Sequence, residues 1–141
     1  MKNLKLYFSP FFILRYSITK DLKYIINKYK IENSILDVGC GSKPYQFLFK
    51  KHTLYKGIDF KEYSKNTDFT KIHTPDYYFD DAYVDSLKLP FSDEYFHNSC
   101  SFQVLEHHKN PQVMINEMFR VTKNGGYIIL AFPFLELIHE M

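Results

Sequence analysis

Short apolar runs alternate along this chain with stretches whose apolar residues recur at helical spacing. Ser34-Ile35-Leu36-Asp37-Val38 is one such run, and it breaks at once into Gly39-Cys40-Gly41-Ser42-Lys43-Pro44. It reads as a buried strand, a tight turn and a helix start, with Pro44 at the first helical position. Leu54-Tyr55-Lys56-Gly57-Ile58-Asp59 reads as a second strand ending in an acid, His97 to Phe102 as a later one, and Tyr127 to Phe132 as a fully buried last one. Leu22, Ile25, Ile26 and Tyr29 form an apolar helical stripe, with Thr19 as cap and Asp21 in the first turn. Asn110-Pro111 opens another helix by a side-chain cap and a proline at the first position. Met114, Met118 and Val121, with Ile115 and Phe119, recur there at helical spacing and read as core, and Lys123-Asn124-Gly125-Gly126 stops the helix. The stretch from Lys61 to Asp80 has little periodicity and supports no assignment of its own. Strands alternating with helices predict an α/β fold, a parallel sheet with helices on both faces.

Composition narrows the picture without changing it. A chain of 141 residues supports one domain, and 45% apolar and 18% aromatic residues make it globular rather than disordered. The net charge of +2 demands no nucleic acid. Lys2, Lys5, Lys20, Lys23, Lys28 and Lys30 make the beginning basic, which reads as a solvated helix face rather than a phosphate track. Of the two cysteines, Cys40 lies in the glycine turn and Cys100 in a strand, as expected of reduced, buried thiols in a cytoplasmic protein. The run from Leu4 to Leu14 is too short to span a bilayer, contains Pro10 and precedes Arg15, so stable membrane insertion is not expected. Adjacent His107 and His108 lack the spacing of a metal site, and no metal is expected.

The glycine turn carries the chemistry. A glycine at 39 allows a sharp turn and one at 41 allows the backbone to approach a ligand, so a small molecule with an anionic end suits the site. The dinucleotide fingerprint places a third glycine where this chain has Pro44. Asp59, about 20 residues after the glycines, stands where an acid reaches ribose hydroxyls in doubly wound folds, and it supports a ribose ligand without choosing between nucleotide classes.

Further landmarks choose. Asp37 ahead of the glycines, Asp85-Ser86-Leu87-Lys88-Leu89-Pro90-Phe91, Ser92 to Phe96, and Gln103-Val104-Leu105-Glu106-His107 stand in one order over residues 34 to 134. This series resembles the class I S-adenosylmethionine-dependent methyltransferases. The family usually has a small residue at the position of Lys43, Phe-Asp where this chain has Phe96-His97, and proline where it has Asn124. The resemblance implies a doubly wound, Rossmann-like sheet of order 3-2-1-4-5. It implies S-adenosyl-L-methionine as cofactor, with Asp37, Gly39, Cys40 and Gly41 at the methionine end, Asp59 on the ribose, Asp85 and Ser86 on the adenine, and Gln103 facing the methyl. No base is specified; Gln103 and His107 are the catalytic candidates, although Glu106 and His107 mostly brace the loop in that family.

On this reading residues 1–33 form an N-terminal flap and helix over the cofactor, or dock at a membrane surface, and residues 34–141 form the cofactor-binding domain. The family's final antiparallel hairpin is expected to be missing after the fifth strand, leaving an apolar edge open to self-association. The expected reaction is methyl transfer to a small-molecule acceptor, a sugar, lipid or quinone-like compound. The alternative is a truncated, inactive cofactor-binding protein or a subunit needing a partner chain.

Overall fold

Pro10 opens a helix, α1 (Pro10–Tyr29), that buries Ile18, Leu22 and Ile26 along one stripe. The computed structural model describes residues 10–50, 53–60, 77–79, 88–108 and 110–132. Thr19 lies inside α1 rather than at its start. Its hydroxyl donates to the Arg15 carbonyl at 2.7 Å, because the proline at 10 already supplies a helix start and the residues after it continue in phase. Tyr29, expected in the buried stripe, is 43% exposed and meets the Tyr127 ring at 5.3 Å between centroids. Lys20, Lys23, Lys28 and Lys30 are all exposed, in keeping with a solvated face.

Among the described residues five strands form one sheet: β1 (Ser34–Val38), β2 (Leu54–Phe60), β3 (Tyr77–Phe79), β4 (Asn98–Phe102) and β5 (Ile128–Ala131). Their order is β3-β2-β1-β4-β5 and every pairing between them is parallel, the arrangement the family resemblance implied. β3 falls in the stretch that carried no readable period. Register places Asp37 between Gly57 of β2 and Cys100 of β4. Alternation then gives β1 two roles. Ile35 joins Tyr55, Cys100, Phe102 and Ile129 in a cluster under α1, while Leu36 and Val38 join Ile58 in a second cluster on the opposite face.

That second cluster is covered by α2 (Pro111–Val121), whose Met114, Met118 and Val121 are fully buried. Phe119, expected in the core, is 67% exposed and Ile115 is half-buried, because the i, i+4, i+7 stripe leaves Phe119 about 100° away around the helix from Met118. Asn110 caps α2 by position but not by its side chain, and Pro111 follows at the first position as expected. The last strand is also less enclosed than its sequence suggests. Only Ile129 of β5 is buried, since β4 pairs with it on one side and it ends the sheet order.

The helix expected from Pro44 is a single 3-10 turn, Gln46–Leu48. Tyr45 and Phe49 on either side of it are drawn into the cluster under α1, and Tyr45 packs edge-on against Phe102 at 5.0 Å. Anchoring two aromatic rings so close in sequence fixes the chain against the sheet and interrupts a longer helical run.

Candidate functional site

The carboxyl ends of β1, β2 and β4 converge on the glycine turn, where ligands of open α/β sheets bind. The turn is pinned from below: the N–H groups of Gly39 and Cys40 both donate to the Ile58 carbonyl, at 2.8 and 3.1 Å. Gly39 has φ +75°, and a Cβ there would lie 2.4 Å from a Val104 methyl. Gly41 has φ +49°, and the nearest atom to an added Cβ is Asp59 Oδ2 at 4.0 Å. The two glycines therefore answer different demands. The first is needed for close packing against the chain after β4, and the second keeps the surface of the turn open.

Asp59 ends up where the sequence placed it, beside that opening. Its Oδ2 accepts the Gly41 N–H at 2.6 Å, tying the end of β2 to the turn. Gln103 stands at the end of β4 in the left-handed region (φ 58°), half-buried, with its N–H on the Ala131 carbonyl at 2.7 Å. Cys40 is buried, and its thiol lies 3.6 Å from the Gly41 carbonyl oxygen. Asp85 and Ser86 lie outside the described residues, as does most of the N-terminal flap. His107 and Glu106 are exposed in the 3-10 turn Leu105–His107. Among the described residues no group of three or more His, Cys, Asp or Glu side chains is arranged to hold a metal ion. No helix among them is long and apolar enough to cross a membrane.

Asp37 is the unusual member. It is 1% exposed, its Oδ2 accepts a hydrogen bond from the Tyr55 hydroxyl, and its Oδ1 has no hydrogen-bond partner. Burial pushes its carboxyl up to about 7, opposed chiefly by the bond from Tyr55 and by the Cys100 thiol, with Lys43 a weaker counterweight. Burial likewise raises Tyr55 and Cys100, and the nearby Asp37 adds to both. Lys43, where the related family has a small residue, is buried with φ 54°. Its side chain and Cys40 fill the space over Gly57: a Cβ on Gly57 would lie 2.5 Å from Cys40 Sγ and 2.6 Å from Lys43 Cε. The bond from Tyr55 and the burial of Lys43 were not foreseen. Alternation puts Tyr55 and Gly57 on one face of β2, but that Asp37 shares this face follows only from the register of β1 against β2.

On the far side of the sheet, Arg120 clamps the chain that follows Asp85-Ser86 to α2. Its guanidinium donates to the carbonyls of Leu89 and Phe91 at 3.0 and 2.8 Å and to Glu117 and Asp93 at 2.7 and 2.8 Å. Glu117 in turn accepts the Leu89 N–H at 2.8 Å, and Arg120 holds its carboxyl below the ordinary range.

The ends of β1 and β2 thus bring together an open surface at Gly41, the Asp59 carboxylate beside it and a buried Asp37 oxygen without a partner, the last two of them acceptors. Known proteins share this fold. The chain superposes on a candidate methyltransferase of Bacillus halodurans with 25% identity and TM-score 0.50, over 70% of this chain and 44% of that one. A candidate S-adenosyl-L-methionine-dependent methyltransferase of Methanococcus maripaludis gives 17% identity and TM-score 0.55, over 81% and 53%. A Pyrococcus horikoshii protein gives 23% identity and TM-score 0.59, over 91% and 57%. The chain thus spans about half the length of these structures. No curated protein matches it. The methyltransferase-domain family matches residues 36–130, from the middle of β1 to near the end of β5, and the chain belongs to that family.

Proposed function

We propose that this chain binds S-adenosyl-L-methionine at the ends of β1, β2 and β4 and serves methyl transfer to a small-molecule acceptor, a sugar, lipid or quinone-like compound. The observation that carries the reading is the glycine turn with Asp59 on one side and the unpartnered Asp37 oxygen beneath it. Gly39, Cys40 and Gly41 line the methionine end, Asp59 takes the ribose hydroxyls, and Asp85 with Ser86 takes the adenine. Gln103 stands beside the methyl, and the exposed His107 is the other catalytic candidate. When bound, the cofactor supplies a methyl on a sulfonium, which is already an activated leaving group. The protein's task is then to hold two reactants in line and keep water out, an arrangement that supplies roughly 7 to 11 kcal/mol of a barrier. This is consistent with the lack of a specified base.

A second reading is favoured by β5. Among the described residues it ends the sheet, with Tyr127 and Phe132 exposed on its flanks, and such an edge suits pairing with another copy or with a partner chain that completes the active unit. In the cytoplasmic setting expected for two free thiols, neither reading calls for nucleic acid or a membrane.

Calorimetric titration of the purified chain with S-adenosyl-L-methionine, with NADH as control, tests the leading reading. Binding of the first alone is expected. Asp59→Ala should weaken it by about 1 to 3 kcal/mol per lost charge-assisted bond without unfolding the domain. Unchanged affinity in that variant would count against the ribose assignment, and preference for NADH against the cofactor.

A further inference from the structure

We propose that Tyr55 is a positioning residue for the methyl donor: its hydroxyl fixes the Asp37 carboxyl so that Oδ1 remains available to the donor's α-ammonium group. This rests on the reading of the glycine turn as the donor site. A carboxyl group rotates easily about its last bond, and a free one could turn either oxygen inward. Tyr55 removes that freedom. Its ring is buried, it meets Phe49 at 5.2 Å between centroids, and its hydroxyl is directed to Asp37 Oδ2. Tyr55 pairs with Ile35 in register, and Gly57, directly opposite Asp37, has no side chain to compete for the carboxyl.

The groups that act on Asp37 come from every element around it. Tyr55 and Asp59 act from β2, Cys100 from β4, and Lys43 from the glycine turn. Cys40 acts on both Tyr55 and Cys100, and Tyr45, beside Arg15 of α1, also senses the Asp37 charge. Lys43 is the one cation in the set that acts on Asp37 directly, and it is opposed there by Asp59. A buried carboxylate in those surroundings gains most from a ligand that brings its own positive charge. The acid must be ionised to hold that charge, and burial holds it near neutrality, so donor binding is linked to proton release.

The test is calorimetric titration of the full chain and of Tyr55→Phe, with S-adenosyl-L-methionine and with adenosine, which lacks the ammonium, from pH 5.5 to 8.5. S-Adenosyl-L-methionine should bind more weakly to the wild type as pH falls through neutrality, while adenosine should be indifferent to pH. Tyr55→Phe should weaken the former about tenfold at pH 7, move the midpoint of its pH profile upward and leave adenosine unchanged. Replacing Tyr55 by 3-fluorotyrosine, a stronger donor of nearly the same shape, should move the midpoint downward, and it serves should the phenylalanine variant fail to fold. An unmoved midpoint in both variants, or equal losses for the two ligands, would overturn the positioning role. A folded wild type that binds neither ligand would instead overturn the site reading beneath it.

Discussion

The two faces of the sheet are built from the same strands and obey different rules. On the α2 face, Leu36, Val38, Ile58, Phe96, Met114, Met118 and Val121 are buried, and the polar groups among them are paired: Ser99 with the Thr122 hydroxyl at 2.9 Å, Ser101 with the Val38 carbonyl at 2.8 Å, and Arg120 in an ion-paired clamp at the rim. On the α1 face the same β1 places Asp37 beside Ile35, and Tyr55, Cys100 and Asn98 accompany it in the interior. Asn98 is satisfied, its Nδ2 donating to the Glu32 carbonyl at 3.0 Å and its Oδ1 accepting the Tyr127 N–H at 3.1 Å, whereas Asp37 keeps one oxygen without a partner. One face buries hydroxyls that all find partners. The other carries an electrostatic cost beneath the glycine turn, as expected where a fold gives up stability for a binding site.

The contrast predicts different losses on the two sides. Phe96→Ala, removing a fully buried ring that packs edge-on against Phe91 at 4.8 Å, should destabilise the chain by about 3 to 5 kcal/mol in denaturant titration. The fraction that remains folded should keep its cofactor affinity. A loss of affinity beyond the unfolded fraction would erase the division between the faces.

A smaller effect belongs to the α1 face. Folding raises the Asp37 carboxyl from an ordinary 3.8 to about 7, so its stabilising contribution is present at low pH and is lost as pH rises through 7. Between pH 5 and 7 the unliganded wild type should lose roughly 2 to 3 kcal/mol through this one group. Asp37→Asn should remove that slope, and the difference between the two proteins isolates it from the histidines. Parallel stability profiles for wild type and variant would mean that Asp37 is solvated, and the two faces would then be alike.

Most of the frame was legible from period and punctuation. Four strands and the α2 stripe of Met114, Met118 and Val121 follow from local pattern, whereas the strand order came from the family resemblance. What failed to follow depended on partners distant in sequence. Thr19 looks like a cap until a helix already running from Pro10 passes through it, and Pro44 looks like a helix start until Tyr45 and Phe49 are pulled under α1. Phe119 looks like core because hydrophobic spacing alone does not set how wide a stripe the sheet can cover. At the site, the glycines and acids announce themselves by type. The Tyr55 bond to Asp37 and the filling of Gly57's space by Cys40 and Lys43 require the parallel register of β1 and β2, which the sequence does not print.

The most direct test of a divided sheet is to watch both faces while the cofactor binds. In a two-dimensional NMR titration with S-adenosyl-L-methionine, the amides of Gly39, Gly41, Asp59 and Gln103 should shift, and the methyl signals of Met114 and Met118 should stay in place. Shifts at the methionines with none at the glycine turn would contradict the account.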